Sequence, residues 1–392
     1  MSKFETIAVR TQLEKTSHKE HSTPLFLTSS FTFENAEEGA GLFAKEIEGN
    51  IYSRFSNPNV QEFADKISYL EKGEKTVPTA TGMGAIFTVL AANVKQGDTI
   101  IASKSLFGNT LYILKQILPN WGVKTVFVDL TNEDQWEQAL ISANANWVIV
   151  ETPSNPTLDM VDIEWLAELS HKNGAKLMVD NCFATPYLQN PLVLGADLVI
   201  HSATKWLDGQ GRVLGGSITG SRELVQSSDD FIRRTGNSMS PFNAWVLSKS
   251  IETLAVRMDR HCDNAFQLAQ FLSEHDQIQE VVYPHLPTHK QYELAQRQLK
   301  KGGGIVTAIL KGDLKEKGSK FLNGLDLFSL TANLGDTRSI ATHPASTTHS
   351  KLSPEDQAEV GIRPGLIRFS VGLENIEDII SDVNKSLNAL PS

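Results

Sequence analysis

Apolar positions along the 392-residue chain follow three regimes. Residues 1 to about 60 show little periodicity. Within them TPLFLTSSFTF alternates weakly, and its Phe26, Phe31 and Phe33 favour packing over disorder, as in an arm laid on another subunit. From residue 79 short apolar runs alternate with amphipathic ones. TATGMGAIFTVLAANV predicts a turn feeding a buried helix, DTIIAS a strand, and NTLYILKQILPNWG a helix ended by Gly122. VKTVFVDL, NWVIVET, KLMVDN, GADLVIHS and GGSITGS predict further strands. NEDQWEQALISA, with acids in its first turn, and IEWLAELSHKNGA predict the helices between them. Apolar strands separated by helices predict an α/β fold: a parallel or mixed sheet covered on both faces.

The stretch from SPFNAW to QFLSEH has helical spacing for one or two long helices. After it IQEVVYP, GGGIVTAIL and LIRFSVG predict strands, with a turn at glycines 302–304, and IEDIISDVNKSLNAL a last helix. The expected organisation is an arm over 1–60, a large domain over 61–250 and a smaller α+β domain over 251–392.

Composition narrows the function classes. A net charge of −10 disfavours binding to a phosphate backbone, so nucleic acid is set aside. Two cysteines, Cys182 and Cys262, make neither a disulfide framework nor a Cys-rich zinc site, and fit a reducing, cytoplasmic setting. No apolar run reaches the length of a membrane span, and the amino terminus lacks the apolar core of a signal peptide. His343 and His349 in THPASTTH match no common zinc spacing, so no metal is expected. No GxSxG elbow supports a serine hydrolase.

The strongest local chemistry lies at two predicted strand ends, KLMVDN and DLVIHSATKW. In open α/β sheets ligands sit beyond the carboxyl ends of strands. Taken singly, Asp180 could cap a turn and Lys205 could be a solvated lysine. Together with Ser202 and Thr204 they suit pyridoxal 5'-phosphate (PLP). A lysine amine can form a Schiff base with the aldehyde, hydroxyls can bond the phosphate, and a carboxylate can pair with the ring nitrogen. In TGMGA the amides of Gly82 and Met83 could face an anion at a helix start, although no clear strand precedes them and the glycines could serve packing alone. In YSRFSNPN, Arg54 and Tyr52 suit a phosphate, or belong to a surface turn at Asn57-Pro58. In ETPSNP, Asn155 could bond a ring substituent. Arg368, inside an apolar strand, would pair with a structural acid or await a substrate carboxylate.

YSRFSNPN, TGMGA, ETPSNP, VDNCFATP, HSATKW, THPASTTH and IRFSVGLE occur in this order over nearly the whole chain. With them the sequence resembles the PLP enzymes of cysteine and methionine metabolism. The resemblance implies PLP transferase fold type I, as in aspartate aminotransferase: a mostly parallel sheet with helices on both faces, plus a smaller carboxy-terminal α+β domain. It implies a homotetramer built from two catalytic dimers. It also implies roles: Lys205 holding PLP, Asp180 on its ring nitrogen, and Gly82, Met83, Ser202 and Thr204 on its phosphate. Tyr52 and Arg54 would reach the phosphate in the neighbouring subunit, and Asn155, Ser339 and Arg368 would bind the substrate α-carboxylate or its surroundings. Many relatives have LYG, with a tyrosine stacked on the cofactor. Here the motif is LFGNT, so Phe107 can stack but cannot transfer a proton. Asn109 stands where methionine γ-lyases typically carry cysteine.

Within the family, KWLDGQGR, MSPFNAW and SLTANLGDTRSIATHPASTTH look most like the O-succinylhomoserine sulfhydrylases. The implied reaction is γ-replacement, in which O-succinylhomoserine and sulfide give homocysteine and succinate. Alternatives within the family are cystathionine γ-synthase, an O-acetylhomoserine sulfhydrylase and a cystathionine or methionine γ-lyase. From other classes, a non-catalytic PLP-binding protein is opposed by intact Lys205, Asp180 and Arg368, and a nucleotide-binding dehydrogenase by the missing fingerprint.

Overall fold

In the computed structural model the described residues are 2–347, 350, 353, 357, 358 and 361–391. Seven strands form one sheet: β1 (Lys75–Thr79), β2 (Thr99–Ser103), β3 (Lys124–Val128), β4 (Trp147–Glu151), β5 (Lys176–Asp180), β6 (Leu198–Ser202) and β7 (Gly216–Gly220). Their order is β1-β7-β6-β5-β4-β2-β3. β7 runs antiparallel to both its neighbours, and the remaining pairs are parallel.

Alternation along β4 shows how the sheet is covered. Trp147 and Ile149 face one side, where they meet Ala85, Val89 and Leu90 of the helix Gly82–Asn93. Val148 and Val150 face the other, against Trp136 of the helix Glu133–Ala143 and Leu166 of the helix Ile163–Lys172. With every residue of β4 buried, the continuous apolar run is what a two-sided strand requires.

Strand β1, KTVPT, precedes TGMGA, where no clear strand was expected. It lies at the sheet edge and pairs only with β7, where Pro78 sits opposite Ser217. An edge strand tolerates the missing N–H. TGMGA therefore does follow a strand. Asn57-Pro58, weighed as a surface turn, opens the helix Pro58–Glu71: Asn57 caps it through the Asn59 N–H, and Pro58 takes the first turn. The amino-terminal segment holds two short helices, Phe4–Arg10 and Ala36–Ala44, too brief to impose a visible period. TPLFLTSSFTF forms no strand; the bridge Ser30–Tyr52 is its pairing. The helix expected over 109–121 is a short α-turn, Gly108–Tyr112, continued by π and 3₁₀ turns and ended at Gly122 with φ of 73°.

A second sheet comprises β8 (Ile278–Val282), β9 (Ile305–Leu310), β10 (Ser329–Leu330), β11 (Ile340–Thr342) and β12 (Leu366–Ser370), in the order β10-β11-β12-β9-β8. Its apolar face packs on Phe321 and on Ile379, Val383 and Leu387 of the helix Ile376–Asn388. The helix Leu254–Ser273 joins the two parts. Its first half, with Leu254, Met258 and Cys262, packs around Trp206, and its second half, with Leu268 and Leu272, packs on the second sheet. That shared helix holds β12 close to the carboxyl ends of β4, β5 and β6. No helix among the described residues is long and apolar enough to cross a membrane.

Candidate active site

Glu151, Asp180 and Ser202 are the last residues of β4, β5 and β6. They line a cleft of about 420 Å³ together with Gly82, Met83, Phe107, Asn155, Thr204, Lys205 and Arg368. Nine of the twelve predicted site residues thus meet in one place. The sheet supplies this convergence, since parallel strands bring their ends to a single edge.

Each side chain is held by its element. Lys205 follows β6, and its Nζ donates to Asn333 Oδ1 at 2.6 Å. Burial lowers its pKa, with Cys182 opposing that shift and Arg368 reinforcing it. Asp180 Oδ1 accepts the Cys182 N–H at 3.0 Å. Burial raises the Asp180 carboxyl from its ordinary 3.8 to about 6, against the Cys182 N–H and the charge of His201. At the start of the helix Gly82–Asn93, Thr81 caps the Gly84 N–H at 2.9 Å, so the Gly82 and Met83 amides are the ones without a helical partner. A Cβ at Gly82 would lie 2.5 Å from Ser202 Cβ. Only glycine lets this helix start press against Ser202 and gather amides and hydroxyl at one corner. Thr204 Oγ1 donates to Gly215 O at 3.3 Å and accepts from Gly215 N at 3.2 Å.

Arg368, on β12, reaches in from the opposite side. Its Nη1 donates to Asn155 Oδ1 at 2.9 Å, and Nη2 to Asn333 O at 3.1 Å and Thr342 Oγ1 at 3.4 Å. Its Nε is buried without a partner. Burial lowers the guanidinium pKa to about 10, with Glu151 opposing. An orphaned donor on a buried arginine is costly, and a carboxylate in the cleft would satisfy it.

Three predicted residues fall elsewhere. Ser339 Oγ donates to Glu374 Oε2 at 2.9 Å and accepts from Gly372 N at 2.9 Å, so its hydroxyl braces the start of β11 and does not line the cleft. Asn333, six positions earlier, stands at the cleft instead. Tyr52 and Arg54 do not line the cleft of their own chain; Arg54 Nη1 bonds Arg233 O, and its guanidinium lies 4.7 Å from the Phe55 ring centroid. The polar run at 201–204 is split by the pleat. His201 points to the far face and bonds buried Glu71 at 2.5 Å. His343 is held by Ser346 Oγ and Pro364 O, and His349 lies outside the described residues.

Two residues of the site escaped the sequence reading. Glu151 carries the same signal as Asp180, an acid ending an apolar strand, and could have been found by it. Asn333 sits in a loop with no periodic cue. Glu151 pairs in register with Asp180, about 4.8 Å away across the sheet. Burial, and then the Asp180 charge, hold its carboxyl well above the usual range.

The residues fit PLP: a buried lysine amine, an acid on a neighbouring strand end, and a helix-start corner of amides and hydroxyl for a phosphate. Comparison with known proteins agrees. An O-succinylhomoserine sulfhydrylase of Pseudomonas aeruginosa is 43% identical over 99% of this chain and 96% of its own. An L-methionine γ-lyase of Porphyromonas gingivalis is 42% identical over 94% and 93%. A Campylobacter jejuni crystal structure with N'-pyridoxyl-lysine-5'-monophosphate at its position 205 superposes with a TM-score of 0.94, at 31% identity, covering 99% of this chain and 100% of that one. The profile of one family matches residues 5–388, and the chain belongs to that family, the Cys/Met metabolism PLP-dependent enzymes.

Proposed function

We propose that the chain catalyses γ-replacement on O-succinylhomoserine with sulfide, releasing succinate and forming homocysteine. The observation that carries an amino-acid substrate is the unpaired Arg368 Nε in a cleft that also holds Lys205 and Asp180. The 43% identity to O-succinylhomoserine sulfhydrylases supports the ester and the acceptor.

PLP, when bound, supplies the electron sink that makes protons beside the amino-bearing carbon labile. Lys205 Nζ is the base that takes the α-proton and carries protons at the β-carbon; its lowered pKa favours the neutral amine, and Asn333 Oδ1 fixes its position. Arg368 clamps the α-carboxylate, itself aimed by Asn155 and the Asn333 carbonyl. Asp180 would hold the ring nitrogen, the Gly82 and Met83 amides with Ser202 and Thr204 would hold the phosphate, and Phe107 would stack on the ring without supplying a proton. Succinate leaves Cγ, and sulfide bonds the same carbon.

A second reading, γ-elimination, is favoured by the 42% identity to L-methionine γ-lyases. The two separate in one experiment: succinyl-, acetyl- and phosphohomoserine, and methionine, each with sulfide, with cysteine and with no acceptor, measuring homocysteine, cystathionine and 2-oxobutyrate. Homocysteine from the succinyl ester and sulfide is expected. 2-Oxobutyrate from methionine at a comparable rate would move the assignment to elimination.

The arm completes the proposal. Tyr52 is exposed and Arg54 is turned from its own cleft, so both are assigned to the phosphate corner of a partner subunit's cleft, in a homotetramer of two such dimers.

A further inference from the structure

β2 and β4 are neighbours, but the chain leaves them on opposite faces of the sheet. After β2 it passes through Phe107 and crosses to β3 on the side of the helix Gly82–Asn93, burying Ile113, Leu114 and Leu118 there. After β4 it passes through Glu151 and Asn155 and crosses to β5 on the other side, burying Ile163 and Leu166. Diverging connections open a crevice between adjacent strand ends, and the cleft occupies it. One side chain spans the crevice. Glu151 Oε2 accepts the Phe107 N–H at 2.9 Å, and the backbone N–H of Asn155 lies close enough to favour the Glu151 carboxylate. Glu151 itself is 5% exposed, whereas Phe107 is 40% exposed.

We propose that Glu151 is a positioning residue, a latch across the crevice that sets the place of the Phe107 ring and, through Asn155, of the Arg368 clamp. The proposal rests on the cleft being the PLP site. Glu151 acts by length rather than by charge. A protonated carboxyl and a carboxamide both keep a carbonyl oxygen that accepts the Phe107 N–H, so the latch survives neutralisation. It does not survive shortening by one methylene, which withdraws the oxygen by more than a hydrogen bond tolerates.

The test compares Glu151→Gln, Glu151→Asp and Glu151→Ala by two measurements that do not need turnover. The first is hydrogen exchange of the Phe107 amide in cofactor-free protein. Loss of a hydrogen bond to an acid corresponds to exchange about 10- to 150-fold faster. That acceleration is expected in the Asp and Ala variants, with the Gln variant within about 10-fold of wild type. The second is the visible circular dichroism of bound PLP, which reports the asymmetric contacts of its ring. The Gln variant should keep the wild-type band, and the Asp and Ala variants should lose or shift it. Because Asp keeps the charge and Gln the length, wild-type behaviour of Asp with loss in Gln overturns the latch even if the Ala variant fails to fold. Unchanged exchange in all three also overturns it. If wild-type protein binds no PLP, the functional reading fails instead, and amide exchange still decides the latch.

Discussion

Asp180→Asn should stabilise the cofactor-free protein and inactivate the loaded one. In the fold, burial raises the Asp180 carboxyl from 3.8 to about 6. Between those values the native state binds more protons than the unfolded chain, so stability falls as pH rises through the window. Below about pH 4 the acid is protonated in both states and no penalty exists. Above about pH 6 the full penalty is present, about 3 kcal/mol by linkage. Asparagine keeps an oxygen for the Cys182 N–H and carries no charge, so it removes the penalty. It also relieves Glu151, whose carboxyl is pushed up partly by the Asp180 charge. The variant's advantage over wild type should therefore grow by about 2 kcal/mol from pH 4 to pH 7, a shift in Tm on the order of 3 °C. Thermal melts of cofactor-free wild type and variant across that range measure it. In the proposed role the carboxylate of the loaded enzyme pairs with the PLP ring nitrogen, so the variant should retain cofactor but lose most turnover. A stability difference that does not change between pH 4 and pH 7 would refute the account of Asp180 as a charge held at a cost for function.

Lys205→Ala should abolish the visible absorbance of the purified protein, since the Schiff base needs its amine; an unchanged spectrum contradicts the assignment. Arg368→Lys should lower kcat/KM by about 10- to 150-fold for every amino-acid substrate, because one ammonium cannot both hold Asn155 and the Asn333 carbonyl and fork a carboxylate; steady-state kinetics at matched PLP occupancy decide it. Mixing Arg54→Ala chains with Lys205→Ala chains should restore activity, as a mixed dimer can hold one site with intact Lys205 and a partner-supplied Arg54. No recovery in demonstrated mixed dimers removes the shared site.

Local chemistry decided a large part of this protein. A period of two with both faces apolar marks β4 and β5 as interior strands whatever surrounds them, and once strands are parallel their carboxyl ends share an edge. Asp180, Ser202 and Lys205 were legible because each lies at or just past such an end. The sequence also carried the ordered motifs that match the family over residues 5–388. Where it misled, a non-local partner was responsible. β1 is a strand despite Pro78 because it lies at the sheet edge, and edge position is a property of the assembled sheet. Ser339 and Asn333 lie six residues apart in one segment, and only the pairing of β11 with β12 sends one to Glu374 and the other to Lys205. Arg368 was left between a structural acid and a substrate; the fold put Asn155, from 213 residues away, against its Nη1 and left Nε free. Glu151 could be read as a strand end, but not as a bridge to Phe107, because that contact spans two connections on opposite faces of the sheet. Contacts within a few residues are set by local geometry and solvent preference. Contacts across the crevice exist only after the whole sheet has formed and closed its loops.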